Sequence, residues 1–480
     1  MAIITLRRDV AYPTAIFVSG NGERGATYRQ SLEGKTVSVV GLAKSGVAAA
    51  RLIRHLGGRV LASDSRPLEA LPAEARGLER QGCALWAGGH PDEAFLGAEL
   101  VVVSPGVPLE LPALVAMRAR GVPIIGELEL AWRVMEADVI AITGTNGKTT
   151  TTALTGELLR TQVRPVLVGG NIGTPLAEHA LEFPGDGLVV AETSSFQLDT
   201  TDRFRPRVAA ILNVTPDHLD RHGTFERYVD AKARIFANQT PTDCVVLNAD
   251  DPVTAALAGR ARARVIWFSR LTTQTHGVFI YDGWIVAKLN GSTERICPVT
   301  EITLRGQHNV ENVLAATACA LWTGMSPSSI RRGIAAFRGV AHRIERVHDD
   351  RGVVYYNDSK GTNVDSTIKA LESFSEPVIL IAGGKGKGQD FGPLAEAARG
   401  RVRRAILIGQ DRARIRAALE LTGIPAEDAE SMDDAVRRAR ETAQVGDVVL
   451  LSPACASFDM FRNFEHRGDV FKSVVRALLA

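Results

Sequence analysis

Residues 143–150 have the composition of a phosphate-binding loop. They read Thr-Gly-Thr-Asn-Gly-Lys-Thr-Thr and stand between an apolar stretch and residues that favour a helix. Glycines let backbone N–H groups turn toward an anion, and the N-terminus of the following helix adds positive potential. Lys148 could neutralise β- and γ-phosphate charge, and Thr149 could bind magnesium. The segment predicts a nucleotide site, although the common motif has glycine where Ile142 stands.

Two further segments place polar side chains after apolar runs. Glu192 follows the run 188–191, where a carboxylate suits a hard metal ion such as Mg²⁺, but a helix-capping role explains it equally well. His218 lies in the polar segment 213–222 and could bind a metal or exchange protons; the alternative is Asp217 as a helix cap beside surface histidines. Lys232 lies in a helical pattern, and composition alone indicates a solvated lysine.

A glycine turn near the start of the chain resembles part of a dinucleotide fingerprint. Gly41 and Gly46 follow an apolar run, and Asp64 ends the next one. The spacing G-x-x-x-x-G lacks the middle glycine that lets the backbone approach a pyrophosphate closely. The turn therefore favours another diphosphate over NAD.

Short apolar runs alternate along the chain with longer stretches of helical composition, which indicates parallel α/β sheets. Such sheets would position the segments described above. A length of 480 residues suggests about three domains at roughly 150 residues each. We predict a loosely ordered N-terminal extension at 1–33, a Rossmann-like N-terminal domain at 34–126, a central P-loop ATPase-type domain at 127–339 and a Rossmann-like C-terminal domain at 340–480. The predicted strands are 36–40, 59–62, 100–103, 123–125, 139–142, 165–168, 188–191, 208–212, 244–247, 353–356, 377–382, 404–408 and 447–451, with a hairpin at 278–286.

Composition excludes several classes of partner. The chain has 56 Lys plus Arg against 54 Asp plus Glu, so no bulk charge attracts nucleic acid or a membrane. Its five cysteines are scattered without C-x-x-C spacing, which argues against disulfides or a zinc site and favours the cytoplasm. The first 34 residues have no long apolar core, so neither a secretory signal nor a spanning helix is expected.

The ordered set of motifs resembles the Mur ligase family. G-T-N-G-K-T-T, E-T-S-S-F-Q-L, N-V-T-P-D-H-L-D-R-H, A-K-A-R-I-F, G-Q-H-N-V-E-N and H-R-I-E follow one another in family order between residues 144 and 345. The segments D-S-K-G-T-N at 358–363 and L-S-P-A-C-A-S-F-D-M-F-R-N-F-E-H-R-G at 451–468 resemble the D-glutamate-adding branch. The D-N-P-R segment of the diamino-acid-adding branch is not found in the sequence.

The resemblance implies an ATP-dependent amide ligase of peptidoglycan precursor synthesis, and so of cell-wall biogenesis, cell shape and division. It would add D-glutamate to UDP-N-acetylmuramoyl-L-alanine through an acyl phosphate. The implied cofactors are ATP, two Mg²⁺ ions and a Lys232 carbamylated by carbon dioxide, which requires a neutral amine. A cytoplasmic monomer with no nucleic-acid or membrane partner is expected.

The resemblance also implies roles for individual residues, with Lys148, His218 and Lys232 as the catalytic group. The implied ATP contacts are Gly144, Thr145, Asn146, Gly147, Lys148, Thr149, Thr150, Asn309, Asn312, His342, Arg343 and Asp358. The implied metal shell is Thr149, Glu192, His218 and Lys232. The implied contacts to the UDP substrate are Ala43, Lys44, Asp64, Ser65, Arg66 and Asn171. The implied D-glutamate contacts are Lys360, Thr362, Lys387, Ser457 and Phe464.

Three rival functions remain at this point. An NAD-dependent oxidoreductase would use the Gly41 turn and need a nicotinamide cofactor. A regulatory P-loop ATPase would hydrolyse ATP without any amino acid. A folylpolyglutamate-type ligase would share the phosphate loop and the lysine at position 232.

Overall fold

The computed structural model describes residues 22–160, 164–386 and 388–479, which form three α/β sheets. The chain divides into two compact units. Unit 1 comprises the residues up to Glu301 together with Glu311–Ala336, and unit 2 comprises Ile302–Val310 and the residues from Phe337 onward. The predicted fold, three α/β domains built on parallel sheets, is confirmed, whereas the domain limits stay a prediction. Among the described residues, no helix is long and apolar enough to cross a membrane.

The first sheet of unit 1 has five parallel strands in the order β3-β2-β1-β4-β5. Its central strands consist largely of buried valines, which fit a pleated surface that is covered on both faces. The elements are α1 (Gly22–Ser31), β1 (Thr36–Val40), α2 (Lys44–His55), β2 (Arg59–Asp64), α3 (Ala73–Arg76), β3 (Ala84–Ala87), β4 (Leu100–Val103), α4 (Pro112–Ala119), β5 (Ile124–Gly126) and α5 (Glu127–Val134).

The extension that was predicted as loosely ordered contains a helix, Gly22–Ser31, in its described part. Arg29 donates from Nε to the Val134 carbonyl at the end of α5 (3.2 Å), and the Arg133 guanidinium lies 5.3 Å from the centre of the Tyr28 ring. These contacts supply partners that the local sequence does not reveal. The helix therefore forms because it packs on α5.

The second sheet of unit 1 has nine strands in the order β14-β13-β12-β11-β10-β9-β6-β8-β7. Strands β6 to β12 run parallel, and β12, β13 and β14 pair antiparallel, which confirms the predicted hairpin. The elements are β6 (Asp138–Thr143), α6 (Lys148–Leu159), β7 (Val166–Gly170), β8 (Leu188–Glu192), α7 (Ser195–Leu198), β9 (Val208–Ile211), α8 (Leu219–His222), α9 (Phe225–Ala233), β10 (Cys244–Asn248), α10 (Pro252–Ala256), β11 (Arg264–Ser269), β12 (Gly277–Tyr281), β13 (Trp284–Leu289), β14 (Ser292–Pro298), α11 (Gln307–Trp322) and α12 (Pro327–Ala336).

Unit 2 contains a six-stranded sheet in the order β15-β16-β20-β17-β18-β19, parallel except for the antiparallel pair β15–β16. Buried apolar side chains cover both of its faces. The elements are β15 (Glu345–Asp350), β16 (Val353–Asn357), α13 (Val364–Glu372), β17 (Val378–Gly383), α14 (Gly392–Ala398), β18 (Val402–Ile408), α15 (Arg412–Glu420), β19 (Ala426–Asp428), α16 (Met432–Thr442), β20 (Val448–Leu451) and α17 (Phe464–Leu479).

The second sheet brings three chemistry-bearing segments to one edge. Strands β9, β6 and β8 are neighbours, with Thr143 opposite Ile211 and Ile142 opposite Glu192. All three are parallel, so the segments that follow them leave the sheet on the same side. Ligands bind at the carboxyl ends of strands in open α/β sheets. The fold thus groups the phosphate loop, Glu192 and the segment 213–222.

Candidate functional site

The phosphate loop between β6 and α6 is held by a neighbouring asparagine. Asn213 accepts a hydrogen bond at Oδ1 from the Asn146 N–H (2.8 Å), and its carbonyl accepts from the Thr145 N–H (2.9 Å). Gly147 has a φ of 83°, and a Cβ there would lie 2.2 Å from Oδ1 of Asn312. Only glycine fits this left-handed position and close approach. The loop is therefore shaped by fixed neighbours as well as by its own sequence.

Two lysines converge on one carbonyl of this loop. Lys148 donates from Nζ to the Gly144 carbonyl (2.8 Å) and to the Thr145 carbonyl (2.9 Å). Lys232, on α9, donates from Nζ to the same Gly144 carbonyl (2.9 Å). The lysine that composition alone indicates to be solvated is only 1% exposed. The structure thus places Lys232 at the phosphate loop.

The pKa of Lys232 lies well below its ordinary value of 10.5. Burial is the main cause, and the positive charge of Lys148 adds to it, while Asp217 acts in the opposite direction. Taking an ammonium out of water disfavours its charged form, as does a neighbouring cation. The site therefore favours a neutral amine at Lys232.

Glu192 is the last residue of β8 and is buried. Its Oε1 accepts a hydrogen bond from Nδ2 of the exposed Asn171 (2.7 Å), whereas its buried Oε2 has no hydrogen-bond partner in the part of the chain that the structure describes. The helix-capping alternative is wrong, because Ser194 caps α7 by accepting from the Gln197 N–H (3.3 Å). A buried carboxylate oxygen that accepts no hydrogen bond from the described residues is suited to bind a hard cation.

The oxygen ligands that the site offers suit magnesium better than a metal ion that takes all of its ligands from the protein. Glu192 offers a carboxylate, and the Thr149 hydroxyl belongs to the phosphate loop. No group of three or more His, Cys, Asp or Glu side chains that could hold a metal is found among the described residues. Magnesium usually keeps several waters and uses one or two carboxylates together with substrate phosphates. Few protein ligands are therefore needed here.

His218 belongs to an aromatic group beside the phosphate loop. Its ring centre lies 4.9 Å from that of Phe196 and 6.4 Å from that of Tyr228. The Tyr228 hydroxyl is 3.2 Å from Oγ1 of Thr145 in the loop. Asp217 is not the helix cap, because His218 itself precedes α8 with a φ of 51°. The His218 ring is about half exposed, so it remains open to ligands or protons.

A Ser-His-Asp arrangement in which Ser195 and His222 are buried adjoins this group, and its role was not predicted from the sequence. His222 lies with Nε2 3.0 Å from Oγ of Ser195 and Nδ1 3.4 Å from Oδ2 of Asp199. Its ring stacks on Phe196, with the ring centres 5.5 Å apart. The four-residue spacing between His218 and His222 could have drawn attention to it, because such residues share one helix face. These contacts of His222 hold the aromatic group of Phe196, His218 and Tyr228 in place.

The glycine turn of the first sheet is fixed by Asp64. Its Oδ2 accepts from the Leu42 N–H (2.6 Å), and Arg66 reaches both carboxylate oxygens (2.9 and 2.8 Å). Burial acts to raise the pKa of Asp64, but the hydrogen bonds from Arg66 and the backbone outweigh it and lower the pKa to about 2. Other predicted UDP-substrate residues on this edge are exposed: Ala43, Lys44 and Ser65.

The two asparagines at the start of α11 have different surroundings. Oδ1 of Asn312 accepts from the Thr151 hydroxyl (3.2 Å) and adjoins Gly147 of the phosphate loop. Asn309 donates from Nδ2 to the Arg305 carbonyl (2.6 Å). Asn312 therefore has a structural link to the loop in addition to its predicted role at adenine.

In unit 2, the predicted nucleotide contacts His342 and Asp358 lie in buried polar surroundings. Asp358 accepts from the Ser452 hydroxyl at Oδ2 (2.7 Å) and from the Ile344 N–H at Oδ1 (3.3 Å). Burial is the dominant influence and raises the pKa of Asp358 to about 7. Nδ1 of His342 lies 3.0 Å from Nδ2 of Asn357, and burial lowers the pKa of His342.

The predicted amino-acid residues of unit 2 come from separate segments. Lys360 lies with Nζ 4.8 Å from the centre of the Phe464 ring, the Thr362 N–H donates to the Lys360 carbonyl (2.8 Å), and Ser457 is 2% exposed. Lys387 lies outside the described residues. A residue that the sequence analysis missed, Arg467, lies beneath these segments with its side chain fully buried.

Family models match three parts of the chain. The Mur ligase MurD-like N-terminal domain matches residues 35–126, the Mur ligase middle domain matches 142–320, and the glutamate ligase domain of Mur ligases matches 342–455. Together the three matches cover most of the sequence.

Curated relatives are similar over almost their whole length. A UDP-N-acetylmuramoylalanine--D-glutamate ligase from Acidobacterium capsulatum is 50% identical over 93% of this chain and 97% of its own. One of the same name from Koribacter versatilis is 47% identical over 93% and 98%.

Solved structures share the fold at low identity. The UDP-N-acetylmuramate-alanine ligase of Thermotoga maritima has a TM-score of 0.58 at 21% identity, covering 93% of this chain and 99% of its own. The MurF structure from Acinetobacter baumannii has a TM-score of 0.57 at 19% identity, covering 94% and 92%.

Proposed function

Because the chain belongs to the Mur ligase family, we propose that it is an ATP-dependent ligase that joins D-glutamate to UDP-N-acetylmuramoyl-L-alanine. The reaction is a step of peptidoglycan precursor synthesis. The curated relatives described above are named for this reaction, and they align with nearly all of the chain.

One observation carries the chemical part of this proposal. Lys148 and the buried Lys232 donate to the same carbonyl of the phosphate loop, that of Gly144. A simple phosphate loop needs one lysine for the nucleotide. A second lysine, buried and with a depressed pKa, supplies a neutral amine that can be chemically modified at the same place.

Activation of a carboxylate explains the need for ATP. A carboxylate is a poor electrophile because its charge is delocalised. An oxygen of the alanyl carboxylate attacks the γ-phosphorus of ATP, the bond to the bridging oxygen breaks, and ADP leaves. Lys148 and the backbone N–H groups of the loop would neutralise the charge on the phosphoryl oxygens.

The metal and the modified lysine belong to the same step. We propose that Thr149, Glu192, His218 and a carbamylated Lys232 would form the shell around two Mg²⁺ ions, which would supply positive charge to neutralise the phosphate oxygens. The neutral amine of Lys232 would add to carbon dioxide and lose a proton, which replaces a cation with a carboxylate-like group. Asn171 orients Glu192 through its hydrogen bond to Oε1.

Amide formation completes the reaction. The amine of D-glutamate attacks the carbonyl carbon of the acyl phosphate, the tetrahedral intermediate expels phosphate, and the amine gives up a proton. His218, whose ring is about half exposed, is the proposed acceptor of that proton. Lys360, Thr362 and Ser457, together with Lys387 and Phe464, are the proposed amino-acid contacts, since cations and hydroxyls suit two carboxylates.

Each substrate is assigned mainly to one predicted domain. We assign the UDP substrate to residues 34–126, through Ala43, Lys44, Asp64, Ser65 and Arg66, with Asn171 on its sugar side. ATP is assigned to 127–339, together with His342, Arg343 and Asp358, and the amino acid to 340–480. We also propose a cytoplasmic monomer; the five cysteines are buried and unpaired, as suits a reducing compartment.

ADP release in the presence of ATP, Mg²⁺, UDP-N-acetylmuramoyl-L-alanine and a panel of amino acids tests the proposal. Release is expected with D-glutamate and not with L-glutamate, L-alanine or diaminopimelate. Release with a different partner would overturn the assigned specificity. Release that continues over many turnovers without any amino acid, beyond the single ADP that accompanies each acyl phosphate, would favour a regulatory ATPase. Reduction of a nicotinamide cofactor would favour an oxidoreductase.

A further inference from the structure

Arg467 on α17 is the largest fully buried side chain among the described residues. Its guanidinium donates from Nε to the Ser359 hydroxyl (3.0 Å), from Nη2 to the Ser359 carbonyl (2.8 Å) and from Nη1 to the Cys455 carbonyl (3.1 Å). The Ser359 hydroxyl in turn donates to the Phe464 carbonyl (2.8 Å). One side chain thus links the Ser359 segment, 108 positions away, with the Cys455 segment and the start of α17.

Those three segments carry the proposed amino-acid residues that the structure describes. Ser359 adjoins Lys360 and lies three positions before Thr362, while Cys455 lies two positions before Ser457. Phe464 begins α17. The residues in question would therefore move if the contacts of Arg467 were lost.

Arginine is suited to this role by its geometry and its persistent charge. A planar fork of N–H donors can satisfy several carbonyls at fixed angles, which the ammonium of lysine cannot do. Burial lowers the pKa of Arg467 to about 10, so it remains a cation at neutral pH. Because its side chain is fully buried, it cannot contact a substrate in this arrangement.

We propose that Arg467 is a positioning residue for the amino-acid substrate. By holding the Ser359 loop, the Cys455 loop and the start of α17 in one arrangement, it sets the spacing of the groups that grip the two carboxylates. This inference deepens the proposed function and rests on it. Charge-assisted hydrogen bonds to carboxylates depend on that spacing.

The test is Arg467→Lys, which keeps the charge and loses the fork. We expect KM for D-glutamate to rise by about 10- to 100-fold, because misplaced groups lose binding energy. KM for ATP should stay within about twofold. Acyl-phosphate formation from ATP and UDP-N-acetylmuramoyl-L-alanine without D-glutamate should also stay within about twofold. Arg476→Lys, the same change at an exposed position of α17, is the matched control and should alter none of these values.

A second variant keeps the test decisive if Arg467→Lys does not fold. Ser359→Ala removes one acceptor of Arg467 and the bond to the Phe464 carbonyl, and should raise KM for D-glutamate by about 3- to 10-fold. An unchanged KM for D-glutamate in the folded variants would overturn the inference. The inference would also be overturned if acyl-phosphate formation fell as much as D-glutamate binding, because the substitution would then affect the whole reaction and not the amino-acid site alone. If the rate of ADP release by the wild-type protein did not depend on D-glutamate, the proposed function would be overturned instead.

Discussion

Lys232 in unit 1 and Arg467 in unit 2 are both fully buried basic side chains, but their surroundings have different effects on their charge. Lys232 donates to a single carbonyl, that of Gly144, and burial beside Lys148 holds its pKa well below the ordinary value. Arg467 donates to two carbonyls and a hydroxyl, and its pKa of about 10 leaves it charged.

The difference shows how a buried basic residue can be used. An amine that loses its proton becomes a nucleophile, and Lys232 is placed where a phosphoryl group would be handled. A guanidinium keeps its proton at any physiological pH and acts through its geometry. On the two proposals above, unit 1 uses a buried basic residue for chemistry, whereas unit 2 uses one to hold segments of the chain in place.

The largest effect is expected at Lys148, which shares the Gly144 carbonyl with Lys232. Lys148→Ala should reduce the rate of ADP release by at least about 1,000-fold, because the main neutralising charge on the phosphates is lost. Lys369→Ala, which removes a lysine from a partly exposed ion pair with Asp365, is the control and should keep activity. Near-normal turnover in Lys148→Ala, measured with a folded protein, would remove the phosphate loop from the reaction.

The next effect separates the two buried cations directly. Lys232→Ala should lose at least about 100-fold in rate, and a small carboxylate such as formate should restore about tenfold by replacing the carbamate. The same carboxylate should not restore the activity of Arg467→Ala, because that variant loses the positions of its substrate-binding groups and not a carboxylate-like group. A fully active Lys232→Ala, or equal rescue of both variants, would contradict the contrast between them.

A smaller effect is expected beside Arg467, at Gly468. A Cβ at this position would lie 2.1 Å from Nδ1 of His342 and 3.0 Å from Nδ2 of Asn357. Gly468→Ala should lower the free energy of unfolding by about 1–3 kcal/mol and raise KM for ATP, since His342 is displaced. Ser473→Ala, exposed on the same helix, should change neither value. A fully stable Gly468→Ala would show that α17 is not tightly placed.

The last effect, which is on stability and not on the reaction, concerns a buried acid in unit 1. Glu127 accepts from the Ala177 N–H (2.7 Å), and burial raises its pKa from 4.5 to about 7. The folded state thus binds the proton more tightly than the unfolded state, so this group's stabilising contribution is present below pH 4.5 and is lost as the pH rises toward 7.

The measurement is the free energy of unfolding from urea titrations between pH 4.5 and 7.5. The contribution of Glu127 amounts to roughly 3 kcal/mol at most, and Glu127→Gln should flatten that part of the pH profile. Identical profiles for the variant and the wild type would show that Glu127 is not protonated in the folded state.

The sequence predicts the parallel strands well, because buried strands are continuous apolar runs whose ends are marked by polar residues. Apart from the hairpin, predicted and observed strand ends agree within two residues. Five strands were missed: Ala84–Ala87, Arg264–Ser269, Ser292–Pro298, Glu345–Asp350 and Ala426–Asp428. They contain exposed or partly exposed residues, so the apolar signal is weak or interrupted.

From spacing and composition alone, without the family resemblance, the site was predictable only where its residues are consecutive. The loop at 143–150 carries its chemistry in its own spacing, whereas the burial of Lys232 depends on Gly144, which lies 88 positions away. Arg467 stands among charged residues and resembles a solvated arginine in the sequence. Its role depends on Ser359, 108 positions away, which no local pattern can reveal.

Transfer of an isotope from the substrate carboxylate tests the central claim most directly. UDP-N-acetylmuramoyl-L-alanine labelled with oxygen-18 in its alanyl carboxylate is incubated with ATP, Mg²⁺, D-glutamate and the enzyme, and the released phosphate is analysed by mass spectrometry. An acyl phosphate predicts one labelled oxygen in the phosphate for each amide formed. Amide formation with unlabelled phosphate would show that the carboxylate is never phosphorylated and would contradict the account.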